Sequence, residues 1–189
     1  GGCGGGRGGA FIPKPPRRHG RTLGGVLRLE RLRAGHAPAV LAFEQENRAY
    51  FARSIPDRGD AYFAEFASRH RALLAEQEAG VCHFHLVVED GVLLGRLNLV
   101  DVADGTAELG YRVGERGAGR GVATAAVREA CGLASAAYGL SSLRALTTRD
   151  NAASMRVLER NAFTPVAETW IDDRPALRWH RGLTVGAGT

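Results

Sequence analysis

The strongest constraint on the fold is the dipeptide Asp90-Gly91, which stands between two alternating apolar segments, 81–89 and 92–101. This arrangement predicts a β-hairpin with a two-residue turn. A third strand is predicted over 107–113 after a short connection, so the three strands form an antiparallel meander. The glycine-rich segment GERGAGRGVATAAV follows this meander directly and leads into a predicted helix.

The other predicted elements complete a mixed α/β fold. A strand at 26–32 and helices at 35–51 and 60–80 precede the meander, and a helix, a strand at 143–148, a second helix and a final hairpin follow it. The predicted order is β-α-α-β-β-β-α-β-α-β-β. We therefore expect a central, mostly antiparallel sheet of about seven strands, flanked by four helices and containing one βαβ crossover.

The basic residues are concentrated at the N-terminus. Residues 1–21 contain five Arg or Lys and no acid, which accounts for the whole net charge of +5. The glycines and prolines of this segment predict a disordered tail over 1–23. We expect a single globular domain over 24–182, a disordered C-terminal tail over 183–189, and no nucleic-acid partner except through the basic tail.

The composition also disfavours several classes of protein. No apolar run approaches the roughly 18–20 residues of a membrane span, and no signal peptide is predicted. The three cysteines (Cys3, Cys82 and Cys131) lack zinc-ligand spacing and are odd in number, which predicts a reducing, cytoplasmic setting. His83 and His85 share one strand face without a recognisable third ligand, so we expect packed histidines and no metal site.

The glycine-rich loop alone predicts an anion site, because free N–H groups at the start of a helix attract negative charge. A dinucleotide-binding fingerprint requires a third glycine where Val122 stands, and it opens a parallel βαβ unit. A phosphate-binding Gly-Lys-Ser/Thr sequence is also absent. A tight strand-to-helix turn without a ligand remains the alternative.

A second segment, DNAASMRVLERNAF at 150–163, narrows the interpretation. Together with AELGYRVGERGAGRGVATAAV at 107–127, it resembles the GCN5-related N-acetyltransferase (GNAT) family, and in particular the branch of ribosomal-protein-alanine N-acetyltransferases. The resemblance covers roughly 24–181. It implies an acetyl-CoA donor and transfer of the acetyl group to a protein N-terminal α-amine or to a small-molecule amine. A non-catalytic CoA-binding module of the same fold and a homodimer stay open.

The family's phosphate motif, Gln/Arg-x-x-Gly-x-Gly/Ala, fits in two registers, which begin at Arg116 or at Ala118. The second register is preferred because it places its last residue, Ala123, in the first helical turn. Ala118 then replaces the Gln or Arg of the family, and Arg116 and Arg120 are candidates to compensate. The resemblance implies that the pyrophosphate binds the amides of Ala118, Gly119, Arg120, Gly121, Val122, Ala123 and Thr124.

The resemblance also implies where the rest of the donor binds. The pantetheine arm is expected at the backbone of Tyr111 and Val113, where the third and fourth strands of the core splay apart. Asn151 is expected to contact the pantetheine arm or the phosphate side.

Acetyl transfer requires a base for the amine, a donor for the oxyanion and a donor for the leaving thiolate. Glu108 is the candidate base, directly or through a water, and a salt-bridged strand carboxylate is the alternative. The Val113 amide is suited to the oxyanion. Ser154 resembles the family's donor to the thiolate, and an ordinary first-turn hydroxyl is the alternative.

Two further expectations concern residues near these motifs. Ala162 stands where the family has Gly after the second helix, and Asn161 is expected to adopt the left-handed conformation instead. Tyr50, Phe51 and Arg53 lie where the family shapes its acceptor pocket, but packing of aromatic residues at a helix end explains them equally well.

Overall fold

A computed structural model describes residues 25–184, which form one seven-stranded sheet with helices on both faces. The predicted tail at 1–23, and residues 185–189 of the tail predicted at 183–189, lie outside the described residues. Leu183 and Thr184 were predicted as part of the C-terminal tail. The Leu183 amide donates to the Ser141 carbonyl at 2.8 Å, and the Thr184 carbonyl accepts from the Ser135 hydroxyl at 2.7 Å.

The strands follow the order β1-β2-β3-β4-β5-β7-β6 across the sheet. Every neighbouring pair is antiparallel except β4 and β5, which are parallel and joined by a crossover helix. The predicted mixed fold is therefore confirmed. The strands are β1 Leu27–Arg31, β2 His83–Glu89, β3 Val92–Ala103, β4 Thr106–Val113, β5 Ser142–Thr148, β6 Thr164–Ile171 and β7 Arg174–Gly182.

The four predicted helices correspond to six helical segments, because the helices predicted at 35–51 and 60–80 each break once, at Asn47 and at Glu65. Asn47 explains the first break, since its side-chain amide donates to the Phe43 carbonyl and competes with the helical pattern. The segments are α1 Ala37–Glu46, α2 Arg48–Ala52, α3 Asp60–Ala64, α4 Phe66–Glu78, α5 Val122–Ala136 and α6 Ala152–Arg160.

The alternation of side chains along the strands divides the interior into two layers. The layer on the α5 and α6 side of the sheet contains the larger core, and its buried residues include Leu97, Leu99, Ala107, Leu109, Val127, Ala130 and Trp179. The layer on the α1–α4 side contains a second core, which includes Leu32, Val40, Tyr62, Phe66, Phe84 and Leu86. We refer to them as the α5–α6 layer and the α1–α4 layer. Among residues 25–184, no helix has the length and apolar composition needed to cross a membrane.

The strands β4 and β5, which join the two halves of the sheet, share the fewest paired residues. β4 and β5 pair only over four residues each, Thr106 to Leu109 against Ser142 to Ala145. Beyond these rungs, residues 110–113 of β4 and 146–148 of β5 do not pair with each other. The sheet therefore has a gap at its centre, between the two layers.

Candidate active site

The glycine-rich loop ends in a helix N-terminus with free amides. Gly119 and Gly121 adopt positive φ angles of 70° and 76°, which a side chain would strain. The first helical hydrogen bond runs from the Ala125 amide to the Gly121 carbonyl. Within the described chain, the amides of 119–124 donate to no backbone carbonyl. They are available to a ligand, as expected at a helix start.

Two details of the loop bear on the predicted phosphate motif. The amide of Ala118 donates to the Glu115 carbonyl at 3.2 Å, so the series of free amides begins at Gly119 and not at Ala118 as predicted. Ala123 is the second residue of α5 and lies in the first turn of the helix. The geometry therefore agrees with the register that ends at Ala123.

Arginines of α6, which sequence reasoning missed, face this loop. Arg156 and Arg160 line a cleft of about 270 Å³ together with the loop and Ala153. Both are exposed, and neither forms an ion pair within residues 25–184. Their spacing of four residues, which places them on the same helix face as Ala153, was the available signal. Free amides and two arginines suit the phosphates of coenzyme A.

The arginines that were expected to compensate for Ala118 are engaged elsewhere. Arg116 pairs with Glu46 at 3.3 Å, and Arg120 pairs with Glu89 on β2 at 2.6 Å. Neither side chain lines the cleft. The Arg120 side chain therefore points away from the predicted phosphate site, and only its backbone amide remains in the free series.

The backbone of β4 presents two amides to the gap in the sheet. The Gly114 amide donates to the Leu94 carbonyl of β3 at 2.8 Å. Because amides alternate in direction along an antiparallel strand, those of Tyr111 and Val113 point the other way, toward β5. No residue of β5 pairs with them. The gap thus offers hydrogen-bond donors at the two predicted backbone positions, and it can accept an extended chain such as pantetheine.

Ser154 and Tyr111 meet on the α5–α6 side of the gap. Their hydroxyls are 2.7 Å apart. Ser154 is the third residue of α6, and its amide donates to the side chain of Asn151, the N-cap, at 3.1 Å. Burial raises the pKa of the Tyr111 phenol, and the hydrogen bond with Ser154 partly offsets this. The phenol therefore stays protonated at neutral pH.

The side chain of Tyr111 was not predicted to take part in the site. Only its backbone was assigned a role. The signal was the alternation of β4, which places Tyr111 on the same face as the buried Leu109 and toward α6.

Glu108 lies on the opposite face of β4, toward the α1–α4 layer. It is opposite Val100 on β3 and Arg144 on β5. Among the described residues it forms neither a hydrogen bond nor an ion pair, although Arg144 is its neighbour. Glu108 belongs to the paired part of β4, two residues before the gap begins at Gly110. A carboxylate thus lies near the gap on one face of the sheet, and the Tyr111–Ser154 pair lies on the other face.

The turn after α6 differs from expectation. Ala162 itself has a positive φ of 60°, and Asn161 keeps a φ of −103°. The reason is that the buried Asn161 amide donates to the carbonyls of Val157 and Thr124, at 2.9 and 3.2 Å. This ties the end of α6 to the first turn of α5, and it leaves the left-handed position to the next residue.

Of the three residues expected near an acceptor pocket, one is buried, one lines a cleft and one contacts both of the others. Phe51 is buried and packs against Phe43 and the guanidinium of Arg112. Arg53 lines an open cleft that also includes Asn151 and Thr148, the last residue of β5. Tyr50 contacts Phe51 and Arg53 through its ring.

His83 and His85 are packed residues. The ring of His83 stacks on Tyr138 at 3.7 Å, and His85 hydrogen-bonds the Tyr138 hydroxyl at 2.6 Å. Burial lowers the pKa of His85 to about 4. Within residues 25–184, no group of three His, Cys, Asp or Glu is arranged to hold a metal ion.

Several solved structures are similar to this fold. A ribosomal L7/L12 α-N-protein acetyltransferase, RimL, in complex with coenzyme A has a TM-score of 0.75 and 17% identity, over 87% of this chain and 97% of that one. The ribosomal-protein-S5-alanine acetyltransferase from Vibrio fischeri has a TM-score of 0.76 and 16% identity, over 82% and 92%. The spermidine N-acetyltransferase from Vibrio cholerae, in complex with CoA and spermine, has a TM-score of 0.67 and 14% identity, over 82% and 95%.

Comparison of the sequence with curated proteins finds no significant match. A family model gives the assignment instead, because residues 27–164 match the acetyltransferase (GNAT) domain. This span includes β1 to α6 and thus the loop, the gap and the Tyr111–Ser154 pair. The chain belongs to the GNAT family of acetyl-CoA-dependent N-acetyltransferases.

Proposed function

We propose that the protein acetylates the N-terminal α-amine of a protein, as ribosomal-protein acetyltransferases do. The observation that carries this proposal is the gap between β4 and β5, with a carboxylate near it on one face of the sheet and a hydroxyl pair on the other face. This arrangement allows the amine to approach the thioester from the α1–α4 side. The leaving thiolate then departs on the α5–α6 side.

Glu108 is the proposed base. An N-terminal amine has a pKa near 8, so most of it is protonated at neutral pH and must lose a proton to attack. The Glu108 carboxylate has no partner among the described residues that would compete for this proton. It accepts the proton directly or through one water.

The amide of Val113 and the hydroxyl of Ser154 are the proposed donors in the transfer. The amide points into the gap and can donate to the oxyanion that forms when nitrogen attacks the carbonyl carbon. As the carbon–sulfur bond breaks, Ser154 donates to the thiolate. Tyr111 can replace that proton, because its hydroxyl is 2.7 Å away and stays protonated.

The donor is proposed to bind along the gap and the loop. The amides of 119–124, with Arg156 and Arg160, hold the phosphates, while the amides of Tyr111 and Val113 hold the pantetheine arm. The side-chain oxygen of Asn151 is already engaged by Ser154. Its amide nitrogen remains available to the pantetheine arm or the phosphates.

A small-molecule amine is the second candidate acceptor, since the fold also resembles a spermidine N-acetyltransferase. The direct test is thiol release from acetyl-CoA with N-terminal peptides and with spermidine. Turnover of peptides, lost in Glu108→Gln and Ser154→Ala, supports the proposal. Turnover of spermidine but of no peptide would refute it in favour of the second candidate.

We also propose a cytoplasmic location. Cys82 and Cys131 are both free and buried, as expected for a protein of a reducing compartment. A homodimer is a further proposal, and sedimentation equilibrium tests it.

A further inference from the structure

One pocket of the α1–α4 layer has a pronounced positive charge. It has a volume of about 220 Å³ and lies between α3, α4 and β3. Its polar lining consists of Arg58, Arg69, Arg96, His70, Asn98 and the ring of Tyr62. No Asp or Glu of residues 25–184 lines it. We call it the arginine pocket.

The charges around the pocket do not cancel. The carboxylate of Glu44, which is 1% exposed, accepts from Arg96 at 2.8 Å, from Arg112 at 3.2 Å and from Arg58 at 3.3 Å. One carboxylate thus faces three guanidinium groups, and an excess of two positive charges remains. Such an excess in a partly buried site is stabilised by an anion.

The pocket also has unused hydrogen-bonding groups. Only the Nε atom of Arg58 is engaged within the described part of the chain, and the guanidinium lies over the Tyr62 ring at 4.5 Å. Its two terminal nitrogens remain free to bind a carboxylate in a bidentate manner. The buried Oδ1 atom of Asn98 has no partner among the described residues. It suits a backbone N–H of a bound chain.

The strand register connects this pocket to Glu108. Asn98 is opposite Gly110 on β4, which presents no side chain, and Val100 is opposite Glu108. Asn98 and Glu108 are therefore diagonal neighbours, about 7–8 Å apart. Arg96 is four residues from Val100 along β3, a distance of about 13 Å. An extended chain can thus begin at Glu108, pass Asn98 and reach the guanidinium groups within about three residues.

We infer that the acceptor is an N-terminal peptide with an Asp or Glu at its second or third residue, whose carboxylate binds in the arginine pocket. This inference rests on the proposed N-terminal acceptor and specifies its class. Polyamines such as spermidine fit this pocket poorly, because their positive charge would meet the excess of arginines.

The test compares three peptides that begin with the same residue. At positions two and three, the acidic peptide has Asp-Glu, the amide peptide Asn-Gln and the basic peptide Lys-Arg. Thiol release gives kcat/KM for each. We expect the acidic peptide to exceed its amide counterpart about tenfold, mainly through KM, as a charge-assisted contact would give. The ratio should fall in 0.5 M salt.

Three variants at two residues locate the effect. Arg58→Gln and Arg69→Gln should each reduce the acidic-to-amide ratio about threefold to fivefold, and Arg58→Glu should raise the basic peptide above the acidic one. Arg69 pairs with the exposed Glu65 and lies over the Tyr62 ring at 5.7 Å. Because its own side chain is half exposed and its ion pair lies at the surface, its replacement does not threaten the fold. Arg71→Gln, on the same helix but outside the pocket lining, is the control and should keep both the ratio and the activity.

The outcomes separate this inference from the proposal on which it rests. Equal turnover of the acidic and amide peptides, or a ratio that Arg58→Gln and Arg69→Gln leave intact, overturns the inference and leaves the N-terminal acceptor standing. Turnover of spermidine and of no peptide overturns both.

Discussion

The two sites proposed on either side of the gap are formed by different parts of the chain. On the α5–α6 side, the proposed donor site consists mainly of backbone amides, at 119–124 and at two positions of β4. On the α1–α4 side, the proposed acceptor site consists of side chains around one buried carboxylate, Glu44. A backbone site depends on local conformation, whereas a side-chain site depends on distant residues. We therefore expect mutations to affect stability most on the acceptor side.

The largest effect is expected for Glu44→Gln. Among residues 25–184, the substitution removes the one carboxylate that faces Arg58, Arg96 and Arg112, of which Arg96 is itself buried. An unpaired buried charge costs about 3 kcal/mol or more. Urea unfolding measures the loss, with Glu46→Gln, an exposed residue paired with Arg116, as the control expected within about 0.5 kcal/mol. A similar small effect for both variants would show that the acceptor side does not depend on this carboxylate.

In the α5–α6 layer, the buried His85 should make the free energy of unfolding depend on pH. His85 has a folded pKa of about 4 because of burial, and the unfolded value is near 6.5. The unfolded chain binds the proton first, so stability falls as pH decreases from about 6.5 to about 4. The expected loss is about 2–3 kcal/mol. Urea unfolding at pH 7 and pH 4.5 measures it, and His85→Gln should flatten the difference. An unchanged slope in that variant would assign the effect to other groups.

On the donor side, the arginines of α6 should matter for affinity more than for stability. The double change Arg156→Gln and Arg160→Gln is expected to weaken CoA binding about tenfold, or about 1.4 kcal/mol. Isothermal titration calorimetry gives the dissociation constant. Arg128→Gln, on the exposed surface of α5 and outside the cleft, should leave it unchanged. Equal effects in both variants would indicate only a loss of net charge.

The smallest effect is expected for Ala162→Gly. Ala162 has a φ of 60°, a conformation that favours glycine, so the change should stabilise the fold by about 0.5–1 kcal/mol. Ala75→Gly, in the exposed middle of α4, should destabilise by about the same amount. Thermal unfolding measures whether each variant is more or less stable than the parent protein.

The donor side was largely predictable from sequence because its signals are local. Glycine spacing located the loop, and the βαβ crossover was predicted from the order of neighbouring elements. The arginine pocket was not predicted, since no local pattern relates Glu44 to Arg58, Arg96 and Arg112. The breaks at Asn47 and Glu65 were also missed. At Asn47 the side chain accepts from the amide of Glu115 in a distant loop, and helical periodicity does not reveal such a contact.

The four residue pairs between β4 and β5 suggest how the free protein differs from the protein with CoA bound. With so few hydrogen bonds across its centre, the sheet consists of two half-sheets joined by a narrow seam. A pantetheine arm bound to the amides of Tyr111 and Val113 would extend that seam and act in place of the missing part of a strand. Hydrogen exchange at these two amides should then slow on addition of CoA, while the outer strands exchange as before.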